Sequence, residues 1–233
     1  MNRRLSLAVP FLLGASVVQG QRAPDAVAID PTHHNVLFEN NHVRVFRALI
    51  SPGARSPMHT HPRRVLLSLA NARLRFTLPD GTKPIFDLHP GQVLWMDSDE
   101  HAWETVSGQA HVIGVEVKAA MRGAPPAFTL PATDAVRADP GAHQVALENE
   151  HVRVLAGLAG TGYRSPMHSH SGDFVLISTG RVRLRLTPQG APAPVIIDLY
   201  PGQVVWLERQ AHAWEVLAGQ HNAFAVELKS TWR

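Results

Sequence analysis

The sequence predicts an all-β chain made of two like domains in tandem, each a sandwich or barrel of short antiparallel strands. The first observation behind this is an internal repeat. Glu39-Asn40-Asn41-His42-Val43-Arg44-Val45 returns as Glu148-Asn149-Glu150-His151-Val152-Arg153-Val154, and Ser56-Pro57-Met58-His59-Thr60-His61 as Ser165-Pro166-Met167-His168-Ser169-His170. Pro90 to Trp95 recurs as Pro201 to Trp206, and His101-Ala102-Trp103-Glu104 as His212-Ala213-Trp214-Glu215. Self-similarity of this kind is one folding unit written twice. The second observation is a period of two: Val43 and Val45 flank Arg44, and Leu74 and Phe76 alternate with Arg73 and Arg75, as in half-buried strands. The third is that no stretch beyond the N-terminal segment sustains a helical period, which leaves a sandwich or barrel as the architecture.

In chain order, Arg3 and Arg4 precede an apolar run from Leu5 to Val18, closed by Val18-Gln19-Gly20. A basic start, a short apolar stretch and compact residues after it form a secretory signal, so residues 1–20 are expected to be a leader. The run of 14 residues falls short of the roughly 20 that a bilayer-spanning helix needs, and Pro10 interrupts it. The mature chain is therefore expected to be periplasmic or secreted, beginning near Gln21, with no membrane attachment. The first copy is assigned to residues 30–118 and the second to 139–229. Asp80-Gly81 and Gln189-Gly190 stand where hairpin turns belong. Pro90-Gly91 and Pro201-Gly202 turn the chain into an apolar strand that ends in Trp. Between the copies, residues 119–138 contain Pro125, Pro126 and Pro131 without periodicity and read as a linker.

Composition narrows the chemistry. The 233 residues are 45% hydrophobic and 18% charged, an ordinary globular make-up. The formal charge of +3 includes Arg3 and Arg4 of the leader, and no basic stripe follows, so nucleic acid is not an expected partner. The absence of cysteine excludes disulfides, thiolate metal sites and a cysteine nucleophile. No phosphate-cradling glycine loop, Gly-x-Ser-x-Gly or His-Glu-x-x-His is present. The prominent residue is histidine, 14 in all.

Residues at i and i+2 of a strand share a face, so His59 converges with His61 and His168 with His170. His101 and His212 open a later strand. If that strand lies beside the first, three imidazoles form a facial set suited to Fe, Zn, Mn, Ni or Cu, with positions left for water or substrate. Gly53-x5-His59-x-His61 and Gly162-x5-His168-x-His170, each followed by a Pro-Gly turn, a strand and a further His, resemble the two motifs of the cupin family. The resemblance covers nearly all of the expected mature chain and is to a two-domain member, a bicupin. It implies two double-stranded β-helix (jelly-roll-like) barrels, each with a divalent metal in its mouth. The ligands it implies are His59, His61 and His101 in one half and His168, His170 and His212 in the other. It also implies a monomer whose halves pair as an internal pseudo-dimer, or a homo-oligomer.

One departure bears on function. The family's fourth ligand is a glutamate, and its spacing falls on Val65 in the first copy and Val175 in the second. Asp173 lies near, but it is aligned with Arg64 and receives no ligand role. What remains resembles the three-His centres of cysteine- and diketone-dioxygenase cupins, which favours iron, with Zn, Mn, Ni or Cu as alternatives, and an oxygen-dependent oxidation. Neutral imidazoles leave the metal's charge uncompensated, which favours a small anionic substrate. The same site suits a metal-dependent lyase, decarboxylase or isomerase, or a non-enzymatic cupin that binds a metal or small ligand. Trp103 and Trp214 share strand parity with His101 and His212, and either wall a substrate cavity or belong to the core. Val65 and Val175 are further cavity candidates. His34, His42, His143 and His151 read as polar residues at strand starts or a domain contact, and Arg44 and Arg153 as solvent-facing strand arginines.

Overall fold

In the computed structural model, which describes residues 22–118 and 129–231, two barrels follow one another. The expected leader and the first half of the expected linker lie outside the described residues. The N-terminal barrel runs α1 (Ala26–Ile29), β1 (Asn35–Glu39), β2 (Val43–Ile50), β3 (His59–His61), β4 (Arg64–Ser68), β5 (Ala72–Thr77), β6 (Ile85–Leu88), β7 (Val93–Met96), β8 (Asp99–Gly108) and β9 (Ala110–Val117). The C-terminal barrel runs α2 (Ala135–Ala138), β10 (Gln144–Glu148), β11 (Val152–Gly160), β12 (Arg164–Ser169), β13 (Phe174–Ser178), β14 (Val182–Pro188), β15 (Val195–Leu199), β16 (Val204–Leu207) and β17 (Ala211–Leu228). The repeat therefore reaches further upstream than the motifs suggest. Asp25 and Asp134 cap matching helical turns by accepting from the backbone of Val27 and Val136. The second turn lies inside the segment that reads as linker. No helix among the described residues is long and apolar enough to cross a membrane.

Each barrel closes two antiparallel sheets on each other. In the N-terminal half their orders are β1-β2-β9-β4-β7 and β3-β8-β5-β6. In the C-terminal half one strand takes both central places: β17 pairs with β12 and β14 along its first part and with β11 and β13 along its second. It passes from sheet to sheet at Gly219 (φ 82°), as the N-terminal chain does at Gly108 (φ 72°). A Cβ would lie 2.3 Å from the Arg181 carbonyl oxygen at the first and 2.4 Å from that of Asn71 at the second, so these corners need glycine.

The two barrels share a core. Val43, Val45, Val65 and Val115 of one half form one cluster with Val152, Val154, Val175 and Val226 of the other. Aromatic rings lock the contact: His42 stacks on Trp206 with centroids 5.8 Å apart, and His151 on Trp95 at 5.3 Å. These two histidines are thus domain contacts. Val65 and Val175 sit in the shared cluster and not on a cavity wall, because adjacent strand residues face opposite ways. Pairing sets Arg64 opposite Glu116 and Phe174 opposite Glu227, which sends Arg64 and Phe174 inward and their neighbours Val65 and Val175 outward. The same register makes Phe174, not Asp173, the counterpart of Arg64.

Candidate metal centres and cavity

The strand β3 holds His59 and His61 on one face, and its register places His59 directly opposite His101. The corresponding register in the second barrel is His168 opposite His212. Ring centroids of His59 and His101 are 4.7 Å apart, and those of His61 and His101 5.5 Å. His168 and His170 lie 4.6 and 5.3 Å from His212. All six imidazoles are buried. The tightest triplets, however, include a residue that the motif does not contain. Ligand atoms of His34, His59 and His61 lie within 4.8 Å of one another, as do those of His143, His168 and His170. His34 and His143 follow the helical turn into β1 and β10. Each has its Nδ1 within hydrogen-bond reach of a backbone carbonyl at the end of that turn, Asp30 at 3.1 Å and Asp139 at 3.3 Å. Each barrel therefore presents four histidines.

Buried acceptors fix how these rings face. His61 Nδ1 lies 2.8 Å from Glu116 Oε1, and His170 Nδ1 2.8 Å from Glu227 Oε1. A carboxylate accepts, so Nδ1 carries the proton and Nε2 keeps its lone pair for a ligand. Pro57 and Pro166 carbonyls do the same for His59 and His168, at 2.8 and 2.9 Å. The glutamates are held in turn. Arg153 bonds Glu227 at 2.6 Å and Asp134 at 2.7 Å, with all three side chains no more than 1% exposed. Arg44 joins Glu116 and Asp25 in the same way. These arginines therefore do not face solvent as their strand positions suggest; they tie the entry helix to the histidine sheet. Glu116 and Glu227 are site residues that the sequence reading missed. Burial pushes the Glu116 carboxyl up, against the opposing pull of Arg44.

The halves differ at the fourth imidazole. His101 Nδ1 lies 3.1 Å from Asp99 Oδ2, and Arg64 clamps Asp99 at 2.7 and 3.1 Å. Although burial opposes its ionisation, Asp99 is held down at about 2 by His101 and Arg64. His212 has no such partner, and its Nδ1 is buried without a hydrogen bond among the described residues.

The donor sets fit a divalent metal. His59 Nε2 and His168 Nε2 are buried and make no hydrogen bond among the described residues, and a buried polar atom without a partner costs about 1–3 kcal/mol. Burial also keeps the rings neutral, as ligation requires: it pushes His59 down to about 4, His143 to about 3 and His212 to about 2 from the usual 6.5. A base whose folded value is depressed binds no proton at pH 5 while the unfolded chain does. Stability of the metal-free protein is then complete above pH 6.5 and declines as pH falls toward the folded values. Urea unfolding without metal should show a loss of about 1–2 kcal/mol per imidazole between pH 7.5 and 5. His212→Leu should narrow that loss, and an unchanged pH dependence in this variant counts against the assignment.

Among the described residues, the room beside the histidine clusters lies in the C-terminal barrel. A cavity of about 330 Å³ is lined by His143, His170, His212 and Trp214, with Phe174, Leu155, Leu186 and Ile197 among its apolar walls. The equivalent space in the N-terminal barrel is about 40 Å³. Matching pairs in the register explain this: Phe46, Phe76, Phe86 and Val112 stand where the C-terminal barrel has Leu155, Leu186, Ile197 and Ala223. Phe76 stacks on His101 at 4.3 Å, and Trp103 is packed in the N-terminal core. Of the two tryptophans, Trp214 lines the cavity and Trp103 fills its barrel. Glu104 and Glu215 point outward, to Arg55 and Arg75 and to Arg164 and Arg185.

No family model matches the sequence and no curated protein does. Solved structures match in fold. A Bacillus subtilis oxalate decarboxylase studied for its Mn(II) centres aligns with a TM-score of 0.53 at 11% identity, over 89% of this chain and 72% of that one. AerE from Microcystis aeruginosa aligns at 0.54 with 13% identity, over 84% and 96%. The oxalate decarboxylase of Lactobacillus farciminis in its formate complex aligns at 0.54 with 10% identity, over 82% and 77%. At such identities the likeness is one of fold. Two tandem barrels, each closing on a buried histidine cluster suited to a divalent metal, give this chain the two-barrel fold of a bicupin.

Proposed function

We propose that this chain is an exported metal-dependent oxidoreductase. In this reading the C-terminal barrel carries out the oxygen-dependent oxidation of a small organic molecule with one anionic head and a mostly apolar body. The observation that carries the reading is the apolar cavity of about 330 Å³ reaching His143, His170 and His212, a size and lining that suit a small-molecule site. No Lys or Arg lines it, so an anionic group finds a counter-charge only at the metal end. A second carboxylate, as in oxalate, would be desolvated there without a partner. The substrate named for the two decarboxylases therefore fits this cavity poorly. Export rests on the N-terminal leader pattern.

Iron held by these imidazoles supplies Lewis acidity and one-electron chemistry toward oxygen; Mn, Zn, Ni or Cu suit the same donors. The chain's own part is positional. Glu227, locked by Arg153, aims His170, and Trp214 with Leu155 and Leu186 gives the reacting end its apolar wall. The N-terminal barrel, filled by its phenylalanines, holds a metal without a substrate space.

Oxygen uptake by the iron-loaded protein with a panel of small monocarboxylates and diketones tests this. His168→Ala/His170→Ala should reduce uptake by about 100-fold or more, while His59→Ala/His61→Ala should leave it within about threefold. Product formation that continues without oxygen would replace oxidation by Lewis-acid lyase or isomerase chemistry. Ligand binding without any product would leave a binding protein.

A further inference from the structure

His221 lines the same cavity but belongs to neither histidine cluster. It is only 8% exposed, and its Nδ1 is buried with no hydrogen-bond partner among the described residues. Trp214 lies between it and the metal end: the indole is 4.8 Å from the His221 ring and 6.2 Å from that of His143, centroid to centroid. The repeat shows that this imidazole is not a requirement of the fold. In the N-terminal barrel the residue paired like His221 is Ala110, opposite Ile50 as His221 is opposite Ala159. A second exchange accompanies it. Gly157 stands where the first barrel has Ala48, and a Cβ at Gly157 would come within 3.2 Å of His221 Nε2. One barrel thus has an imidazole where the other has Ala110, and no methyl group at the position that would crowd it.

An imidazole in an apolar wall costs stability unless something completes its hydrogen bonds, and an aliphatic side chain would pack there without that cost. Burial lowers its proton affinity, to about 4, so at neutral pH the ring is uncharged and offers one donor and one acceptor. We propose that His221 is the specificity residue of this cavity, hydrogen-bonding a hydroxyl carried by the substrate on its apolar body, away from the anionic head. The inference rests on the cavity being the substrate site. It gives the substrate class as a hydroxylated, otherwise apolar acid, and a neutral ring pairs with a hydroxyl without adding charge to a mostly apolar cavity. Sites built to hydrogen-bond a hydroxyl discriminate strongly against analogues that lack it, because their own polar atoms are then left unpaired.

The test uses the full chain loaded with Zn(II), which is redox-inert, and isothermal titration with hexanoate and the 3- to 6-hydroxyhexanoates. A 2-hydroxyl is omitted because it would chelate the metal directly. One positional isomer should bind the wild type roughly tenfold more tightly than hexanoate, equivalent to about 1.4 kcal/mol. In His221→Phe the ratio of hydroxyhexanoate to hexanoate affinity should fall to about one while zinc content stays the same, and His221→Gln should restore part of the preference. If His221→Phe does not fold, His221→Leu, smaller and equally free of hydrogen-bonding atoms, serves the same comparison. Hexanoate binding with no hydroxyl preference, or a preference that survives in His221→Phe, overturns the role of His221 alone. Failure of hexanoate itself to bind overturns the cavity as a site for anionic ligands, and the inference with it.

Discussion

Arg153→Met should lower the unfolding free energy of the metal-free protein at pH 7.5 by about 3–5 kcal/mol, because it leaves buried carboxylates without their counter-charge. Asp134 and Glu227 are both at 0% side-chain exposure, and the guanidinium between them at 1%. Methionine fills most of the volume and neutralises neither acid. For a chain of this size the loss amounts to a fall in Tm on the order of 10 °C. The internal repeat supplies the control. Arg44 is 16% exposed and its partner Asp25 39%, so water shares the burden and Arg44→Met should cost roughly half as much. Equal costs at the two arginines, or a loss under about 1 kcal/mol at Arg153, would show that the network is ornamental to stability.

That network marks where sequence reasoning reached and where it stopped. The His-x-His pairs were legible because strand parity alone puts i and i+2 on one face, and because the whole unit is written twice. His34 and His143 were not. They lie outside any strand pattern and come to the cluster only through the helical turns capped by Asp25 and Asp134, whose ion pairs to Arg44 and Arg153 are contacts between distant parts of the chain. Val65 and Val175 illustrate a different limit. The loop between His61 and β4 differs in length from that between His170 and β13, and a parity count cannot cross a loop. Only the pairing with β9 and β17 fixes which residue faces in. Glu116 and Glu227 did leave a signal, an acid flanked by buried residues in a central strand and repeated in both copies. Its meaning depends on what stands opposite, which is Arg44 and Arg153. The cavity was present as paired differences, Phe against Leu or Ile, yet only the closed barrel shows that these residues border one space.

Metal stoichiometry is expected to separate the two centres and not merely count them. The wild-type protein should bind about two equivalents, falling to about one in His59→Ala/His61→Ala and in His168→Ala/His170→Ala, and to none in the combination. The N-terminal centre should fill first. His101 is oriented by Asp99, and Asp99 is kept ionised by Arg64; the C-terminal barrel has Phe174 and Gln210 in those places and leaves His212 Nδ1 unpartnered. Loss of such an orienting partner typically weakens a centre by about 10–100-fold, so titration of the stripped protein should show two phases about that far apart. Asp99→Asn should merge the phases by weakening the first. Single variants then identify the donors: His34→Ala and His143→Ala should weaken their own centres by at least the same 10–100-fold factor if four imidazoles contribute, and should change nothing if His101 and His212 complete the sets. A single phase that Asp99→Asn leaves unmoved would contradict this difference between the halves. In the proposed reading the centre beside the cavity is the one with space for a further ligand on its metal, while the filled barrel leaves its own centre closed.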